Sequence, residues 1–147
     1  MSELGFYHLT RTSADAALPR LLGRTLAAGQ RAVVLCGSEA RVAALDAALW
    51  EPADPDWLPH GCAATGEAGL QPIWLTAVAE APNQARYLFL LDGCTADAAA
   101  FDRVFDLFDG TDPAAVQAAR ERWRAAKAAG HAVAYWQQGE RGWERKA

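Results

Sequence analysis

Arg120, Trp123, Arg124 and Lys127 stand at i, i+3, i+4 and i+7, so on a helix they share one stripe. Such a stripe can seat a carboxylate beside an apolar group. Arginine forks onto a terminal carboxylate, lysine adds a longer-ranged attraction, and an indole walls a pocket for an aromatic or aliphatic side chain. The same spacing equally suits a tryptophan packed inward with three cations solubilising the outer face, and helical pattern alone does not separate the two. Trp50, Trp57 and Phe108 fall at element ends or in loops, where bulky aromatics either close a core or line a surface groove.

Catalytic chemistry has no comparable support. After the first predicted strand the chain runs His8-Leu9-Thr10-Arg11-Thr12-Ser13, and after the second Cys36-Gly37-Ser38-Glu39. Neither stretch is the GxGxxG fingerprint that lets backbone approach a pyrophosphate. Gly61-Cys62-Ala63-Ala64-Thr65-Gly66 imitates a phosphate loop, but Glu67 stands where a phosphate-binding lysine is required, and a carboxylate there repels phosphate. There is no HExxH, no GxSxG elbow and no clustered acidic metal pattern, so no metal and no cofactor is expected. His8, His60 and His131 are dispersed and read as structural or surface histidines. The rival reading that survives is a small nucleotide- or metabolite-binding α/β enzyme using the loop from His60 to Gly66.

Charge sharpens the choice. A net charge of −4 argues against a surface that itself holds nucleic acid, which needs a basic stripe to neutralise phosphates. The charge is unevenly spread, with 7 basic and 14 acidic side chains in residues 1–110 and 7 basic and 4 acidic in residues 111–147. That asymmetry points to an acidic ligand near the C-terminal region or to a basic solvated tail. Cys36, Cys62 and Cys94 are odd in number and lack CxxC spacing, so they read as buried thiols in a reducing compartment. The opening MSELGFYHLT lacks a basic region followed by an apolar one, and no run of about 18 apolar residues occurs, so the expected location is cytoplasmic with no membrane span.

The elements that must position the stripe can be read in order. Glu3 to Leu9 alternates as a first strand. A helix follows over Ser13 to Ala28, with Ser13 as cap and Gly29 at its stop; Pro19 tolerates only a first turn, which moves the start toward Leu18. Ala32-Val33-Val34-Leu35 is a continuous apolar run, as in a strand covered on both faces. Ser38 opens a second helix through Val42, Leu45 and Leu49 to Trp50, before the breaker Glu51-Pro52-Ala53-Asp54-Pro55. Trp57 to Leu70 reads as an ordered loop, Ile73 to Thr76 and Tyr87 to Leu91 as short strands, and Thr95 to Ala100 as a short helix. Arg103 to Phe108 fits strand or helix equally well. In the last helix Asp112 caps, Pro113 takes the first position and Gly130 the left-handed exit. Ala132 to Gln137 closes as a strand, and residues 139–147 are expected to fray. The whole, 1–147, reads as one α/β domain, a three-layer α/β/α sandwich with a mixed, largely parallel sheet and antiparallel pairings near Ile73 and Tyr87.

Four stretches together carry a resemblance: Phe6-Tyr7-His8-Leu9; Leu45-Asp46-Ala47-Ala48-Leu49-Trp50; Trp57-Leu58-Pro59-His60-Gly61; and Ala119-Arg120-Glu121-Arg122-Trp123 leading to Gly130. In order and spacing the chain resembles the chi subunits of bacterial DNA polymerase III. The resemblance implies an α/β protein without enzymatic activity, a clamp-loader accessory that binds the acidic, Phe-terminated C-terminal tail of single-stranded-DNA-binding protein. DNA would then be reached only indirectly, and the clamp loader through a psi subunit where one exists. By position Arg120 matches the family's tail-binding arginine and Trp123 an aromatic that is commonly Tyr, while Trp50 and Phe108 match its apolar side. Val116 departs from the pattern, standing where some relatives carry Lys, so that one electrostatic contact is either missing or shifted to Lys127.

Overall fold

The apolar run read as a covered strand forms β2 (Ala32–Leu35), and all of its residues are buried in the computed structural model. The structure describes residues 2–50 and 58–147. The expected breaker Glu51 to Pro55 and the aromatic Trp57 lie outside the described residues. Burial of β2 follows from its two parallel partners, β4 (Ile73–Thr76) and β5 (Tyr87–Leu90). Beyond β4 lies β3 (His60–Cys62); beyond β5 come β6 (Arg103–Asp109), β1 (Glu3–Leu9), β7 (Ala132–Gly139) and β8 (Gly142–Arg145). Every pairing is parallel except β7 with β8.

Strand alternation divides the core in two. On one face Tyr7, Leu9, Val34, Phe89, Phe105 and Leu107 pack against Leu18, Leu22, Leu45 and Leu49 of α1 (Ala14–Ala27) and α2 (Glu39–Leu49). On the other, Leu4, Phe6, Leu88, Leu90 and Phe108 meet Ala119, Trp123 and Ala126 of α3 (Pro113–Ala128). The three-layer α/β/α expectation holds. Because α1 leaves β1 over one face and α3 leaves the adjacent β6 over the other, the β1/β6 boundary is a topological switch point.

Several expectations change. Helix α1 starts at Ala14 and keeps Pro19 in its interior. The Ser13 side chain accepts from the Ala16 N–H at 3.2 Å and its carbonyl from the Ala17 N–H at 3.1 Å, so the cap initiates the helix upstream and Pro19 forfeits one later bond. The segments at Ile73 and Tyr87 pair parallel to β2, since residues 77–86 carry the chain past β2 before it returns; the antiparallel pair is the C-terminal hairpin. Residues expected to fray form β8, because Trp143 sets its edge on the Tyr7 ring, 5.0 Å between centroids, and the Lys146 N–H donates to the Tyr135 carbonyl at 2.7 Å. The loop before Leu70 contains the edge strand β3, and the helix expected at Thr95 to Ala100 is a 3-10 turn at Ala98–Ala100. The open choice at Arg103 to Phe108 resolves as strand, with β6 paired between β1 and β5. Helix α3 runs between its expected limits, Asp112 capping the Ala114 N–H and Gly130 at φ +87°.

All three cysteines are free: Cys36 and Cys62 are buried and Cys94 is half-buried. Burial pushes the Cys36 thiol up to about 12, which leaves it a poor nucleophile. A maleimide added to native protein is therefore expected to label Cys94 first and Cys36 only after unfolding, as peptide mapping of the adducts would establish.

Candidate functional site

Helix α3 turns Ala119 and Ala126 into the core, and Trp123 follows them half-buried, on the flank that faces β7. Arg120, Arg124 and Lys127 lie outward of Trp123 and are exposed. The Lys127 Nζ stands 4.8 Å from the centre of the Trp123 ring, a cation–π contact. The body of Trp123 therefore packs inward while one side stays in reach of solvent and of Lys127. Its indole N–H is buried without a hydrogen-bond partner among the described residues, an arrangement that costs about 1–3 kcal/mol.

The cations of this ridge differ from most others. Arg11, Arg41, Arg86, Arg103, Arg122 and Lys146 each have a carboxylate within 4.0 Å. Among the described residues Arg120, Arg124 and Lys127 have none. On the same face of the sheet as α3 lie Tyr135 of β7 and His8 of β1, whose phenol oxygen and Nδ1 are 2.5 Å apart. Burial pushes the Tyr135 phenol up, and the nearby Arg120 charge pulls it back. Pattern reading missed Tyr135 and His8, because strand parity assigns them to the α3 face only once β1 and β7 are known to pair.

Phe108 belongs to this layer but not to its surface. It is 4 % exposed, with ring centroids 5.1 Å from His8 and 6.0 Å from Tyr135, and it lines the cleft at the carboxyl ends of β1 and β6. Trp50 is not brought to it. At 56 % exposure Trp50 lies over His60, 4.4 Å between ring centroids, at the β3 edge. That edge is four strand spacings, about 19 Å, from β6, and on the α1–α2 face. A single pocket walled by both Trp50 and Trp123 is not formed.

The loop offered as a nucleotide site is occupied by its own bonds. The His60 side chain is fully buried, with Nδ1 2.7 Å from the Leu58 carbonyl and Nε2 3.0 Å from Asp46 Oδ1. The latter approach has ion-pair distance without hydrogen-bond alignment. Thr65 Oγ1 donates to the Cys62 carbonyl and accepts from the Cys62 N–H, both at 2.9 Å. His60 thus pins β3 to α2 instead of facing a ligand. Among the described residues no group of three or more His, Cys, Asp or Glu side chains is placed to hold a metal, and no helix is long and apolar enough to cross a membrane.

A cleft of about 820 Å³ opens at the carboxyl ends of β1 and β6, lined among others by Thr10, Arg11, Thr12, Arg41 and Arg122. Its two inner guanidiniums are committed. Arg41 is paired with Asp15 and Asp92, and Arg122 donates Nε and Nη2 to Asp106 at 2.7 and 3.0 Å. Arg120, Trp123, Arg124 and Lys127 do not line this cleft.

Comparison with known proteins places this geometry. No curated protein matches the chain. A family model, "DNA polymerase III chi subunit, HolC", matches residues 1–134, which include the whole of α3 and the described sheet as far as the first three residues of β7. With nine-tenths of its length matched, the chain belongs to the DNA polymerase III chi subunit family, whose members are accessory, non-catalytic components of the replicative polymerase.

Proposed function

We propose that the α3 ridge docks the acidic C-terminal tail of single-stranded-DNA-binding protein, making this chain an adaptor between that protein and the polymerase III clamp loader. Arg120 takes the terminal carboxylate, Trp123 lies against the terminal aromatic ring, and Arg124 and Lys127 attract the acids upstream. Attachment to the clamp loader runs through a psi subunit where one is present, and DNA is reached only through the tail-bearing partner.

The observation that supports this reading is the set of three exposed cations that have no carboxylate partner among the described residues, beside a half-buried tryptophan, in a protein of net charge −4. An acidic chain end supplies the missing counter-charges, and its aromatic terminus supplies apolar contact. Trp50, on the other face, takes no part, and Phe108, buried in the core beside His8 and Tyr135, does not reach the tail.

Fluorescence anisotropy with a labelled acidic peptide ending in Phe tests the assignment. Arg120→Ala is expected to remove about 1.5–3 kcal/mol of binding, roughly a 10- to 150-fold weaker Kd. Amidating the peptide's C-terminus should weaken the wild type comparably and the variant little further. Binding should also fall as salt rises, since the contacts are solvent-exposed. Equal tail affinity for wild type and Arg120→Ala at low salt would dispose of the assignment.

A further inference from the structure

Three consecutive backbone N–H groups in the loop between β1 and α1, those of Thr10, Arg11 and Thr12, all donate to one atom. That atom is Gln138 Oε1 of β7, at 3.0, 2.9 and 3.2 Å. Gln138 Nε2 donates to Thr12 Oγ1 at 2.7 Å, and Thr10 Oγ1 donates to the Gln138 carbonyl at 3.1 Å. One residue near the C-terminus is thereby tied by five hydrogen bonds to a loop some 126–128 positions away.

Successive amides turned toward one point form a concavity suited to an anion. An amide oxygen bears only a partial charge, and bonds to ionised acceptors are about twice as strong as neutral ones, so Gln138 is a weaker occupant than a carboxylate or phosphate oxygen would be. The loop stands at the switch point, where open α/β sheets take their ligands, and Thr10, Arg11 and Thr12 also line the 820 Å³ cleft there. Gln138 lies in β7 just past the last family-matched residue, 134, whereas the loop that it ties lies within the match. The tie therefore joins a loop inside the matched region to a residue beyond it.

We propose that Gln138 is a latch. Its side chain fills an anion-shaped receptor in the β1–α1 loop and so holds the β7–β8 hairpin against the rim of the switch-point cleft; when the side chain leaves, the three amides are open to an anionic oxygen. The tie does not depend on the tail-docking reading and stands or falls separately from it.

Thermal melts of the full chain in chloride, inorganic phosphate and acetate at equal ionic strength test the latch, with Gln138→Ala and Gln138→Glu beside the wild type. Gln138→Ala should melt several degrees lower in chloride and recover part of that loss in phosphate, acetate or both, whereas the wild type shows no such anion response. Recovery in phosphate alone would assign the receptor to tetrahedral anions, and recovery in acetate alone to carboxylates. Gln138→Glu places a carboxylate in the receptor. The three amides should hold that carboxyl below its ordinary value of about 4.3. Its melting point should therefore exceed that of Gln138→Ala above about pH 5, and the advantage should vanish as pH falls through the lowered folded-state pKa. A Gln138→Ala melt indifferent to both anions, or a Gln138→Glu melt no higher than Gln138→Ala at every pH, would reduce Gln138 to ordinary packing and overturn the proposal.

Discussion

Arg122→Ala is expected to destabilise the fold by about 3–5 kcal/mol, because it strands a buried carboxylate. Asp106 sits in the middle of β6, in register with Phe6 on one side and Leu90 on the other, and its side chain is 4 % exposed. Burial pushes its carboxyl above the usual range, and the two-pronged bond from Arg122 opposes that shift. Without the guanidinium only the burial remains, so the folded-state pKa rises further. The sign of the pH dependence follows from that. A carboxyl raised in the folded state binds its proton more tightly there than in the unfolded chain, so stability falls as pH rises through the interval. The deficit of Arg122→Ala should be full at neutral pH and shrink toward pH 4, which chemical denaturation at several pH values would measure. Adding Asp106→Asn should restore much of the loss at pH 7, since no charge is then stranded. Undiminished stability of Arg122→Ala at neutral pH would mean that solvent already reaches Asp106.

That pair also explains how a helix with a modest inward face holds its rotational setting. Ala119 and Ala126 are small and would tolerate several rotations, whereas Arg122 bound to Asp106 on one flank and Trp123 packed on the other allow one. The sequence pattern located Arg120, Trp123, Arg124 and Lys127 on a common stripe but grouped Arg122 with no partner, because Asp106 is 16 residues away and its facing depends on β6 being a strand. Local signals with a chemical cause were legible in advance: the Asp112 and Pro113 start of α3, its Gly130 exit, and the uninterrupted apolar run of β2. Features set by long-range pairing were not. The β8 strand, the Gln138 tie and the remoteness of Trp50 from Trp123 all depend on strand order, which no local pattern encodes.

Phe89→Ala is expected to cost about 3–5 kcal/mol of stability, the usual loss for truncating a fully buried phenylalanine. Phe89 is 0 % exposed on β5 and stacks on Phe105, with ring centroids 4.3 Å apart and planes at 5°. Both rings belong to the α1–α2 face, and the sheet separates them from the α3 ridge. The variant thereby separates two roles that a destabilised adaptor would otherwise confuse. At a temperature where it remains folded, Phe89→Ala should melt far below the wild type yet bind the acidic peptide with unchanged Kd. Arg120→Ala should do the reverse, with stability within about 0.5 kcal/mol, as for exposed side chains, and weakened binding. The comparison requires only a denaturation series and the peptide titration on the same preparations. If Phe89→Ala weakened tail binding as much as Arg120→Ala while still folded, recognition would be coupled through the whole sheet, and the ridge could not be the self-contained site proposed.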